Sequence, residues 1–412
     1  MKRFEFLRFM SAAMITAALS ATAHAGPLGP SGGTDDFLLV ADFNRDAVRR
    51  YDGVTGAFVD TFVPKLSGGM NQPWGVLFGP HDHRLYVSTG EFGGPGQLKG
   101  VLRYDGATGA FIDNFAVGGN LASPRGIIFG PDGDLYVADR KYIGQDWQLE
   151  GRVARFDGTT GAYLGDFVPL GSGGLSVPTQ LVFGPSVEDA GRLDLYVVST
   201  GTDSVLRYDG TTGNFLGEYV ASGSGGLEGP VTMTFGPDGD LYVADFYSSD
   251  LAVKRFEGPS GLTPGAFVDT FVPAGSGGLR APSGLVFGPD GNHDGQLDLY
   301  LAEVAANGFI KASVKRYDGV SGAFIDTFVA QRSGGLEGAV MITFTETDPV
   351  TLNYLGVPAP HAVVQGVPEP TCLLLASLGA AGTAAYGWRR RTARVTRRRA
   401  EPRYLKIRST KQ

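Results

Sequence analysis

Between residues 37 and 344 short apolar runs alternate with tight polar turns, and the alternation repeats. One run is opened by Pro and closed by Gly-Pro, as in Pro124–Gly130 (PRGIIFG). A PDGD turn follows, then a second run ending in an acid, Leu135–Asp139 (LYVAD). A variable loop leads to a third run, Val101–Asp105 (VLRYD), a DGxTG turn, and a fourth, Ala110–Phe115 (AFIDNF). Apolar-rich runs of this length bounded by Gly, Pro and Asp read as strands. No copy has the 3.6-residue apolar spacing of a helix. The Asp-Gly of PDGD predicts a two-residue hairpin with positive φ. DGxTG turns stand at Asp52–Gly56, Asp105–Gly109, Asp157–Gly161, Asp209–Gly213 and, altered, Asp318–Gly322.

Variants of LYVAD begin at Leu38, Leu85, Leu135, Leu195, Leu241 and Leu299. Six units of about 50 residues, each of four antiparallel strands, predict an all-β, six-bladed β-propeller. The chain enters on a second strand (Phe37–Asp42) and leaves on a first strand (Gly338–Phe344). Closure is therefore shared: the C-terminal strand completes the blade begun at the N-terminus, leaving no open edge in the ring. The pattern PxGL…FGPDG…LYVAD…VxRYDGxTGxF resembles the NHL repeat of six-bladed propellers in secreted bacterial proteins. The resemblance covers about three quarters of the chain and implies the fold; function lies in whatever site the fold carries.

The ends carry different signals. Residues 1–25 read as a signal peptide, with Lys2, Arg3 and Arg8, an apolar stretch Phe9–Leu19, and Ala23-His24-Ala25 before Gly26. Residues 26–36 are a Gly/Pro/Ser-rich lead-in, 37–349 the propeller and 350–366 a polar linker. In 367–412, Val367-Pro368-Glu369-Pro370 precedes an apolar run, Thr371–Trp388, and Arg389-Arg390-Arg391. This layout resembles the PEP-CTERM sorting signal. The resemblance implies an exosortase-type membrane protease as partner, cleavage near Pro368–Pro370, and release or attachment at the cell surface. The run 371–388 is just long enough for a transmembrane helix, which would anchor the chain before processing, and the basic tail 389–412 would stay cytoplasmic.

Charge sharpens this division. The chain has a net charge of −7, but 389–412 hold 11 Lys/Arg against one acid and 1–25 hold three against one, so 26–388 carry −19. Such a domain is a poor partner for nucleic acid and a good one for divalent cations. The single cysteine, Cys372, lies outside the repeats and excludes an intramolecular disulfide.

Residues that recur in every unit serve the unit. Arg50, Arg103, Arg155, Arg207, Arg255 and Arg316 are expected to pair with turn Asp or with carbonyls of the adjacent blade. The acid closing the second strand (Asp42, Asp139, Asp245, Glu303) is expected to cap the turn after it. What differs between units points to a site. The loops between second and third strands share a face with those entering the first strand. Three are enlarged: 90–100, 140–151 and 304–313. They bring Phe92, Tyr142, Trp147 and Phe309, with Phe246 and Tyr247 in the fifth copy and Trp74 and Arg125 near the channel mouth. Exposed aromatics with a few charges make these candidates for a recognition surface for a glycan, peptide or matrix ligand.

One turn has metal spacing. Asp290, Asn292, Asp294, Gln296 and Asp298 fit D-x-N-x-D-G-x-x-D, with Gly295 for the sharp bend, as Ca²⁺ requires. Position 12 is Leu301 rather than Glu. The matching hairpin Pro185–Asp194 has the same length but Ser186 and Ala190 at ligand positions, so hairpin length does not require the ion. A structural Ca²⁺ is the expectation. The five His lie off the inner strands, which disfavours His-based catalysis or zinc. The sequence thus predicts an exported cell-surface or matrix binding module. The alternative is a metal-dependent, lactonase-like hydrolase using Glu228, Glu337 and Asn71 near the axis.

Overall fold

The computed structural model describes residues 36–90, 97–143, 148–189, 191–247, 250–304 and 311–345. Twenty-four strands form six four-stranded antiparallel sheets. Blade 1 comprises Ala339–Phe344, Phe37–Asp42, Ala47–Asp52 and Phe58–Val63, from the axis outward. Blades 2 to 6 begin on the inner strands Val76–Phe78, Pro124–Phe129, Pro178–Pro185, Pro230–Phe235 and Pro282–Gly288. Each inner strand touches the next, and Ala339–Phe344 touches both Pro282–Gly288 and Val76–Phe78, so the ring is closed. Closure is the shared blade that the sequence predicts: Val40 is paired with Ile342, and the Phe37 carbonyl accepts the Thr345 amide at 3.0 Å.

Blades are held together by aromatic edges. The Tyr of LYV lies between an aromatic ring of its own fourth strand and a Phe of the next blade's inner strand. Tyr86 meets Phe115 and Phe129, each at 5.0 Å, and Tyr300 meets Phe328 and Phe344 at 5.0 and 4.8 Å, all edge to face. Tyr136, Tyr196 and Tyr242 repeat the arrangement, and Leu39 takes the position in blade 1. Edge-to-face pairs at this separation add about 1 kcal/mol each to the area they bury. Burial pushes the Tyr86 and Tyr300 hydroxyls up to about 12.

The DGxTG turn explains its own sequence. Asp52 Oδ1 accepts the Thr55 amide and hydroxyl at 2.8 and 2.7 Å. Gly56 follows at φ +68°, and a Cβ there would lie 1.8 Å from the Phe328 carbonyl oxygen of the preceding blade. Gly109, Gly161, Gly213 and Gly322 repeat this approach. The sixth copy is hidden by an insertion: Glu257 accepts the Leu262 and Thr263 amides, and Gly265 meets the Tyr219 carbonyl. These acids sit below their usual range. Asp209 is drawn to about 2, against its burial, by the Thr212 amide and hydroxyl, the Thr211 amide and Arg192. A depressed carboxylate stabilises the fold above its unfolded pKa, and that contribution is lost as pH falls through the folded value. We therefore expect the stability gap between the wild type and Asp209→Asn to be full at pH 6. It should shrink from about pH 4 and close near pH 2, as measured by urea melts across that range.

Two local expectations are corrected. PDGD is not a two-residue hairpin, because only its Gly has positive φ (Gly133 +81°, Gly239 +84°). The Gly133 amide bonds the Gly130 carbonyl at 2.9 Å, and the Gly130 amide bonds the Asp134 carbonyl. Pro131 fits the second position of a β-turn and Gly133 supplies the left-handed residue after it, a longer hairpin connection. The recurring Arg pairs mostly with the Asp of its own fourth strand, as Arg50 with Asp60, Arg103 with Asp113, Arg255 with Asp269 and Arg316 with Asp326, each at 2.5 Å. In blade 3 it does pair with turn acids, Arg155 with Asp132 and Asp134 at 2.6 and 2.7 Å. The fourth strand lies beside the third, which makes its Asp the nearer partner.

Candidate functional site

Antiparallel pairing sorts the connections onto two faces. One face carries the connectors into each inner strand and the loops between second and third strands. The other carries the PDGD hairpins and the DGxTG turns. The acid that closes the second strand acts on the first face, but not as expected. It caps the connector entering its own blade's inner strand, rather than the turn that follows it. Asp139 Oδ1 accepts the Ala122 and Ser123 amides at 2.9 and 2.7 Å. Asp42 takes the Gly338 amide at 2.8 Å and Glu303 takes that of Arg280 at 2.8 Å. The reason is geometric: the second strand ends beside the start of the first, so the connector amides point at it.

Each of these acids also meets a buried cation from the third strand. The pairs are Asp42 with Arg49 (2.5 Å), Asp139 with Arg152 (2.9 Å), Asp245 with Lys254 (3.8 Å) and Glu303 with Lys315 (3.3 Å). The cation donates in turn to the same connector. Lys254 and Lys315 reach the Gly225 and Gly277 carbonyls at 2.8 Å, Arg152 reaches Gly119 at 2.7 Å, and Arg49 reaches Gly334. Blades 2 and 4 have Thr89 and Ser199 in place of the acid, and Leu102 and Leu206 at the position that Arg49, Lys254 and Lys315 hold. Sequence reasoning missed this clamp, although the coupled change, acid with cation and hydroxyl with Leu, is legible once the copies are aligned.

At the channel mouth the first face carries an aromatic and cationic ladder. Trp74, just before the inner strand of blade 2, aligns with Arg125 in that of blade 3, and the Arg125 guanidinium sits 4.4 Å from the Trp74 ring centre. Phe43, in the loop of blade 1, meets Trp74 edge to face at 6.0 Å. Trp74 is half-buried, and its indole nitrogen is buried without a hydrogen-bond partner. Across the ring in blade 5, Tyr247 is 67 % exposed and stands edge to face on Phe246 at 4.7 Å. Phe246 itself packs on the core of blades 5 and 6. The stretch 140–151 is a hairpin arm rather than a loop: strands Leu135–Ile143 and Gln148–Phe156 continue past the blade, with Tyr142 opposite Leu149. The side chain of Tyr142, and Phe92, Trp147 and Phe309, lie outside the described residues, as do residues 1–35 and 346–412 with Pro368, Glu369, Pro370 and Arg389–Arg391.

The channel is apolar. Its wall includes Leu77, Ile128, Val182 and Val286, with Gln180, Thr234 and Thr343 as the polar members, around a cavity of about 80 Å³. The carboxylates of the hydrolase alternative do not meet there. Glu337 pairs with Arg45, Glu228 is exposed, and Asn71 bonds Gln97. A separate groove of about 350 Å³ lies between blades 3 and 4, beside Arg155, Asp166 and Thr211, away from the mouth. Among the described residues, no three His, Cys, Asp or Glu side chains converge on a metal position as they stand. No helix among them is long and apolar enough to cross a membrane.

Comparison with known proteins decides the C-terminal segment, where residues 366–391 match the model of the PEP-CTERM protein-sorting motif. The chain is a PEP-CTERM-tagged six-bladed propeller. The tag marks an exported protein sorted to the cell envelope through an exosortase. No curated protein matches the chain in sequence. Among solved structures it is similar to a chain of a nidogen/laminin complex, at 18 % identity and TM-score 0.50, covering 75 % of this chain and 98 % of that one. A protein from Lactobacillus plantarum (16 %, TM-score 0.45, 76 % and 99 %) and a gluconolactonase from Xanthomonas campestris (15 %, 0.40, 66 % and 84 %) are more distant. Identities this low speak to the fold alone.

Proposed function

We propose that this tagged propeller is a surface-displayed binding module whose loop face takes a glycan of the extracellular matrix. The observation that carries this reading is the Phe43–Trp74–Arg125 ladder at the channel mouth. Aromatic faces beside a guanidinium suit sugar rings, which offer C–H faces and hydroxyls together. The acidic domain disfavours polyanions and leaves neutral chains as the better match. The exported chain is held at the membrane by 371–388 until the exosortase acts, and then stays at the surface or in the matrix.

Titration of matrix polysaccharide fractions into the full chain tests the reading. Tyr247→Ala, an exposed change, and Trp74→Phe, which keeps a ring but shrinks its face, should each weaken binding by about tenfold with melting temperature unchanged. Binding indifferent to both would remove the loop face from consideration. Turnover of a sugar lactone that is lost in Glu228→Gln would replace this reading with the hydrolase.

A further inference from the structure

The hairpin Pro289–Leu297 of blade 6 gathers carboxylates that, among the described residues, make no salt bridge. Asp290, Asp294 and Asp298 belong to it or border it. Asn292 Nδ2 ties it to Asp318 at 2.8 Å and to Asp294 at 3.1 Å. Other hairpins cancel their charge internally. In blade 4, whose hairpin has the same length, Arg192 pairs with Asp209 at 2.5 Å, and Arg207 pairs with Glu188 and Asp194 at 2.5 and 3.3 Å. Blade 6 has Gln296 where blade 4 has Arg192.

A second observation is independent of the loop. The residue before the Leu that opens the LYV run is Asp in blades 3 to 6, and in blades 3, 4 and 5 it pairs with the recurring Arg. The distances are 2.7 Å for Asp134–Arg155, 3.3 Å for Asp194–Arg207 and 4.0 Å for Asp240–Arg255. In blade 6 Arg316 pairs with Asp326 instead. Asp298 is 1 % exposed, its Oδ2 takes the Gly291 amide at 2.8 Å, and its Oδ1 is buried with no partner. Asp290 and Asp294 are close enough to act on it electrostatically, as is Arg316. A buried, unpaired carboxylate oxygen is costly and calls for a counter-charge.

We propose that this hairpin binds one Ca²⁺, through side-chain oxygens of Asp290, Asn292, Asp294 and Asp298 and the backbone carbonyl of Gln296. Asp298 at the ninth position, with its free oxygen, stands in for the absent acid at the twelfth. Gly295 at φ +88° makes the sharp bend that such loops need. The carboxylates do not converge as they stand, because Asp290 takes the Gly295 amide at 2.7 Å and Asp294 that of Gln296 at 2.8 Å. Both leave lone pairs over, and Asn292 and Asp294 are exposed, held only by hydrogen bonds that an ion could replace. Ca²⁺ accepts such irregular oxygen sets, whereas Mg²⁺ demands a near-ideal octahedron.

The test is calorimetric titration of CaCl2 into the full chain stripped with EDTA, with melting curves in both states. One ion per chain is expected, at a Kd on the order of 10⁻⁴ M or tighter. Melting temperature should rise by about 2–4 °C when the site is filled. Asp294→Ala and Asp298→Asn should abolish both effects, and Asp189→Ala in the blade 4 hairpin should leave them intact. If Asp298→Asn fails to fold, the exposed Asp294→Ala still decides. No heat and no melting shift up to about 10 mM Ca²⁺, or stoichiometric binding that survives Asp294→Ala, would overturn the assignment.

Discussion

Asp245→Ser is expected to destabilise the propeller by about 3–5 kcal/mol, because it strands a buried charge. Lys254 and Asp245 are both fully buried, and the other partners of the ammonium are the Gly225 carbonyl at 2.8 Å and the exposed Asp250 at 3.4 Å. The loss is not the net worth of the ion pair; it measures what an ammonium costs without its counter-charge. The chain supplies the control. Blade 4 lives with Ser199 and Leu206 at the two aligned positions. Adding Lys254→Leu to Asp245→Ser should therefore recover most of the loss in chemical denaturation. If the double variant is no more stable than the single, the clamp is held by something other than charge pairing.

Gly56→Ala should cost at least about 3 kcal/mol, since it adds a steric clash to backbone strain. The new Cβ would fall 1.8 Å from a carbonyl oxygen of blade 6, at the junction where the ring closes. Gly239→Ala separates the two terms: it has a comparable positive φ, +84°, with nothing within 4 Å. That variant should lose only about 1 kcal/mol, the ordinary penalty for a left-handed Ala. Similar losses in the two variants would mean that the blades can part at the turn without consequence.

The ring, its blade count and its shared closure were readable because each blade states the same pattern and the ends state it incompletely. What escaped was set by pairs distant along the chain or out of step between copies. Arg49 and Gly334 are 285 residues apart. Arg152 serves its clamp from two positions before the residue aligned with Lys254. Glu257 does the work of Asp52 behind an insertion, which hides the motif. The site was legible in part: Trp74 and Arg125 were placed at the mouth, and the structure stacks them. Their contact with Phe43 was not, because a loop residue has no periodicity to betray it.

The shared closure also settles from which side the ring is held. A second strand begins, and a first strand ends, at the hairpin face, so the chain enters at Asp36 and leaves at Thr345 on the same side. Twenty residues separate Thr345 from the sorting motif, a leash of at most about 70 Å. The tether to the motif therefore joins the propeller on its hairpin side, the face that carries the acidic turn of blade 6. The mouth with Trp74, Arg125 and Tyr247 lies on the opposite face from that point of attachment.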